Sequence, residues 1–185
     1  MDQQIVIKRT RSWISSLVIG LNLCPFAQRV FEGNKIKYVV SETSEEDVLL
    51  TELARELNAL ASVPVTAVET TLLIHPQVLT NFPDYNDFLG LAENLLADLR
   101  LSGIIQIASF HPDYQFAATP ADAVENYTNR SPFPMLHLLR EKSISEVAGD
   151  PDVLLEIPRR NIATLRRQGR KKILEKLKAI EDDLK

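Results

Sequence analysis

At 185 residues, with 45% apolar and 25% charged positions and a net charge of −4, the chain has the make-up of one ordinary globular domain (residues 1–185), and disordered, collagen-like and membrane-embedded classes fall away. Its apolar runs are far shorter than the ~20 residues of a spanning helix, and the amino-terminal MDQQIVIKRTRSW lacks the apolar core of an export signal. A lone cysteine, Cys24, cannot close an internal disulfide, so a reducing compartment, the cytoplasm, is expected.

In chain order, Trp13, Ile14, Leu17, Val18 and Leu21 fall on one stripe of a helix over residues 10–22, with Gly20 and Asn22 as its stopping point before Cys24-Pro25. Residues 36–41 (IKYVVS) read as a first strand. Ser44 and Asp47 form a capping-box variant opening a helix to about Ala61, buried through Leu49, Leu53, Leu57 and Leu60. Residues 69–74 (ETTLLI) suit a strand buried on both faces and end at His75-Pro76. A third helix runs from about Tyr85 to Leu99, and residues 104–110 (IIQIASF) form a third strand ending at His111-Pro112. From Asp113 to Pro134 no period is visible, and an unstructured stretch of that length in a compact domain usually carries function.

Pro134 suits the first turn of a helix reaching about Val147, and Asp150-Pro151 opens a last helix over 153–184, kinked or restarted at Pro158. Residues 159–185 hold ten basic against four acidic side chains, the rest of the chain 11 against 21. This basic helical extension either lies on the acidic body or offers a surface to RNA or an acidic partner. No aromatic residue interrupts the basic run to stack on bases, which disfavours nucleic acid.

The β-α-β-α-β order from 36 to 111 points to an α/β fold with a small, mainly parallel three-stranded sheet packed by about five helices, because crossover connections are right-handed and make strands parallel. Parallel strands would bring His75 and His111 to the carboxyl edge, where open α/β sheets bind ligands. The alternative is a ferredoxin-like α+β arrangement, which would separate them.

The segments NLCPFA (22–27), HPQVLTNFPDYNDFL (75–89), ASFHPDYQFA (108–117) and NYTNRSPFPMLHLLRE (126–141) together resemble an uncharacterised bacterial family, number 1415 among the domains of unknown function. The likeness covers about residues 10–168. What the resemblance implies is membership without an assigned substrate, cofactor or catalytic residue.

All three histidines fall inside those segments. His75, His111 and His137, completed by Glu141 one helical turn past His137 or by Asp113, make a candidate zinc or iron site with an open position. Their spacing matches no established metal motif, and each His-Pro also reads as a hydrogen-bonded cap to a turn. Cys24 is a candidate nucleophile paired with a histidine, or a small buried hydrophobe. Arg130, with Asn126, Asn129 and Ser131, forms a polar cluster suited to an anionic group, or a loop whose asparagines satisfy its own backbone. Tyr114 adds an aromatic wall. Phosphate-cradling glycine loops, GxSxG and CxxC are absent from the sequence. The sequence thus points to a small-molecule enzyme with a His-lined, metal-binding or acid–base site (His75, His111, His137, Cys24) at the strand ends and an anionic substrate held by Arg130. A non-catalytic adaptor using the basic helix is the rival.

Overall fold

The computed structural model describes residues 1–148 and 151–182. Asp2 caps the first helix, its carboxylate accepting from the Gln4 amide at 2.7 Å, and α1 (Gln3–Trp13) buries Val6, Thr10 and Trp13 along one stripe. The helix widens into a π-helical segment, Ile14–Ile19, that buries Ile14 and Leu17. Helix formation therefore starts a full two turns before the expected residue 10. It stops where expected: a Cβ on Gly20 would stand 2.3 Å from the Ser16 carbonyl oxygen, and Asn22 takes the left-handed conformation at φ 51°.

A short helix α2 (Ala27–Glu32) leads to β1 (Ile36–Val40), then α3 (Glu46–Ser62), β2 (Thr70–Ile74), α4 (Phe82–Asp98) and β3 (Ile105–Phe110). The capping box at Ser44 does not form; Glu45 is the cap residue and contributes no side-chain bond to the helix end. Inside the long loop a 3₁₀ turn spans Val124–Thr128. Residues Met135–Arg140 then form a fourth strand, β4, followed by α5 (Glu141–Ala148), α6 (Pro151–Gln168) and α7 (Arg170–Asp182).

The sheet is four-stranded and mixed, in the order β1-β2-β4-β3, which corrects the expected three-stranded, mainly parallel sheet and five helices: among the described residues there are seven α-helices. β1 and β2 are parallel, and β4 runs antiparallel to both of its neighbours, so β1, β2 and β3 still point the same way. The segment expected to be a helix from Pro134 to Val147 is mostly this strand. Met, Leu and Arg favour helix mildly when isolated, but a slot between two strands supplies backbone partners on both sides and overrides that preference. The last helix breaks at Gly169 (φ 77°), not at Pro158, which α6 accommodates. Its expected opening at Asp150 lies outside the described residues.

Two apolar layers cover the sheet. On one face α3 and α4 bury Leu49, Leu53, Leu57, Phe88 and Leu96 against Leu73, Ile105, Leu136 and Leu138. On the other, α1, the π segment, α6 and α7 bury Val6, Trp13, Leu17, Leu165, Ile173 and Ile180 against Leu72, Ile74 and Met135. The basic extension is thus part of the core on its apolar side. Period-2 alternation along each strand decides which side chains meet which layer, and the site depends on it.

Candidate functional site

His75 and His111 do come to one edge of the sheet, immediately after β2 and β3, on the α3–α4 face. Neither is open: both are fully buried, with Tyr85 between their rings at centroid distances of 5.8 and 5.1 Å. His75 Nδ1 donates to the Val78 carbonyl at 3.0 Å. His111 Nδ1 accepts from the Asp113 amide at 3.0 Å, so its Nε2 carries the proton and donates to the Leu79 carbonyl at 3.2 Å. Burial lowers the His75 pKa to about 4, and lowers that of His111. These two imidazoles knit the 75–80 turn to the strand ends, and Tyr85 adds a staple, donating to the Met135 carbonyl and accepting from the Phe110 amide, each at 2.9 Å.

His137 is on the other side of the sheet. It lies in β4, paired with Leu72 and Ala108, not near a helix start, and alternation turns it to the α1 face. Glu141 begins α5 beyond the strand, so the expected shared helix face of His137 and Glu141 does not exist. The expected gathering of His75, His111 and His137 fails for the same reason: the sheet stands between them. Among the described residues no group of three or more His, Cys, Asp or Glu side chains could hold a metal ion.

Of the four residues expected at one site, the fold brings two together on the α1 side of the sheet. Cys24 and His137 line one cavity of about 100 Å³ between the amino-terminal helix and the sheet, walled by Trp13, Ile14, Val18, Leu72 and Phe110. Thr70 Oγ1 donates to the Leu138 carbonyl and lies 2.7 Å from His137 Nε2. Its single proton being committed, His137 must donate from Nε2, which leaves Nδ1 as an unprotonated acceptor. Burial lowers the His137 pKa to about 4, so the ring is neutral around pH 7. Trp13 Nε1 and Arg140 Nε are buried without a hydrogen-bond partner, and Arg140 turns its guanidinium to the Val63 and Val68 carbonyls, away from His137. Glu69 also lines the cavity but is paired with Arg29.

Cys24 sits in the turn between the π segment and α2, its position fixed from behind by α6: Arg160 and Asn161 donate to the carbonyls of Asn22 and Leu23 at 3.0 and 2.8 Å. Burial pushes the thiol pKa up, opposed by the backbone N–H groups of Phe26 and Ala27 and by Arg160. The sulfur is therefore a neutral thiol, not a standing thiolate. No sequence signal distinguished Trp13, Thr70 and Arg140 from ordinary core and strand-end residues.

The asparagine cluster is occupied by its own loop. Asn126, fully buried, accepts from the Phe116 amide and the Thr119 hydroxyl and donates to the Pro120 carbonyl. Asn129 donates to the Ser109 carbonyl and Ser131 to that of Phe133. Arg130 holds the Tyr114 and Ala121 carbonyls at 3.1 and 2.7 Å. Asp113 and Arg130 border an open groove beside the start of α4, and Tyr114 packs on Phe82 and Phe116.

The chain belongs to the family described as a protein of unknown function, DUF1415, whose sequence profile matches residues 5–175. No curated protein and no solved structure matches it. Among the described residues no helix is long and apolar enough to cross a membrane.

Proposed function

We propose that this chain binds a small, uncharged, largely apolar molecule in the cavity between α1 and the sheet, with His137 Nδ1 accepting a hydrogen bond from it. The observation that carries this reading is a polar acceptor on the wall of an otherwise apolar space: the unprotonated Nδ1 of His137. A buried acceptor left unpaired costs ~1–3 kcal/mol, so a ligand that donates to His137 relieves a standing penalty while its body fills the space. The volume of about 100 Å³ compares with the ~150 Å³ of an apolar cavity that takes benzene, which sets the ligand near a single small ring. A neutral imidazole and a neutral thiol favour an uncharged guest over the anionic one expected from Arg130. In this reading any chemistry is proton transfer at His137 Nδ1, and the lone thiol suits a cytoplasmic setting.

The chain has one tryptophan, Trp13, and it lines the cavity, so its fluorescence reports occupancy. Phenol should produce a saturable change that toluene matches only weakly. His137→Leu, which removes the acceptor but keeps an apolar wall, should abolish the preference for phenol. Equal phenol binding by that variant, or no saturable change in the unsubstituted protein, would refute the reading.

A further inference from the structure

Helix α7 and the loop before β4 enclose a second pocket, of about 240 Å³, with a different chemistry. Its floor is apolar, Leu174, Leu177 and Ile180 facing Pro112 and Pro132, while its charged groups are the guanidinium groups of Arg9 and Arg130 and one carboxylate, Glu181. Both guanidinium groups lie over rings, Arg9 at 5.2 Å from the Phe133 centroid and Arg130 at 4.8 Å from that of Tyr127. Such cation–π contacts restrain the planar fork that recognises carboxylates. Arg130 commits Nε and Nη2 to the loop carbonyls, and its Nη1 carries no hydrogen bond among the described residues. Arg9 Nη2 holds Glu181 at 3.2 Å, and its Nε is buried without a partner.

Glu181 is 61% exposed and lies beyond the residues matched to the family. An ion pair so exposed contributes little, because water competes for both partners, and it is readily exchanged for an equivalent one. Two cations against one anion also leave the pocket with a positive balance. We propose that this groove binds a monocarboxylate with a compact apolar body, the carboxylate taking the place that the Glu181 side chain holds on Arg9 and the body lying on the Leu174, Leu177 and Ile180 face. Glu181 then acts as an internal competitor that sets the affinity. The inference is independent of the cavity at His137.

The test is titration of the full chain with benzoate, followed by calorimetry and by methyl resonances of leucine and isoleucine. Benzoate should bind saturably and move the methyl signals of Leu177 and Ile180, which neutral benzyl alcohol should leave unmoved. Glu181→Gln should tighten benzoate binding about threefold, the worth of an exposed ion pair. Arg9→Gln should weaken it at least about tenfold, as for a hydrogen bond to a charged group. Because losing Arg9 could loosen α7, Glu181→Gln decides the matter. Unchanged affinity in that variant, or shifts confined to residues around Trp13, would overturn the proposal.

Discussion

Acid should unfold this protein through two imidazoles well before its carboxylates take up protons. Burial holds His75 and His137 at pKa values of about 4, whereas in an unfolded chain each titrates near 6.5. Between those values the unfolded state binds protons that the folded state refuses, so stability falls as pH drops from 6.5 to 4 and is flat above 6.5 on this account. Each imidazole contributes a slope of ~1.4 kcal/mol per pH unit. Over the full window that is about 3 kcal/mol each, or ~6–7 kcal/mol together, comparable to the ~5–15 kcal/mol of a whole domain. His111, also lowered by burial, acts in the same direction. Urea midpoints taken by circular dichroism at half-unit steps from pH 7.5 to 4.5 measure the slope, and His137→Leu should remove roughly half of it. Constant stability between pH 6.5 and 5, or an undiminished slope in His137→Leu, would show that these rings are not neutral and enclosed as described.

Tyr85→Phe should cost about 2–4 kcal/mol, since it orphans both the Met135 carbonyl and the Phe110 amide; a loss under ~0.5 kcal/mol in urea unfolding would deny the staple its role. Cys24, with its raised pKa, should react with iodoacetamide at pH 8 more slowly in the native protein than in urea, as followed by mass spectrometry; faster native labelling would indicate an activated thiolate. Ending the chain after Gln168 removes the buried Ile173 and Ile180 and should lower stability by at least ~3–6 kcal/mol from their burial alone, visible as a lower Tm. An unchanged Tm would make α7 an appendage.

The sheet-end placement of His75 and His111 was legible because it follows from connectivity: helices of 17 residues between apolar runs force crossovers, and crossovers align strand ends whatever else the sheet contains. His137 was misplaced because MLHLLR has no β-branched residue and follows prolines that can equally begin a helix. Its strand character comes from neighbours 65 and 29 residues earlier, Leu72 and Ala108, and no local pattern encodes that. The same error hid the face of the sheet on which His137 shares a cavity with Cys24, since a helical His137 has no reason to face the turn after α1. The polar loop at 126–131 was correctly seen as rich in hydrogen-bonding groups, but composition does not tell whether such groups face a ligand or, as for Asn126, their own backbone.

The strand that completes the sheet is the last of the four to be synthesised, yet it occupies an interior position, with β2 on one side and β3 on the other. Until residues 135–140 arrive, β2 and β3 have no hydrogen-bonding neighbour on the sides that will later face each other, and the earlier strands cannot close into a continuous sheet. Both inner edges then stand open on a nascent or refolding chain, and open apolar edges pair with other chains. Insertion of one short, late segment between partners far upstream is a high-contact-order step, of the kind that slows folding.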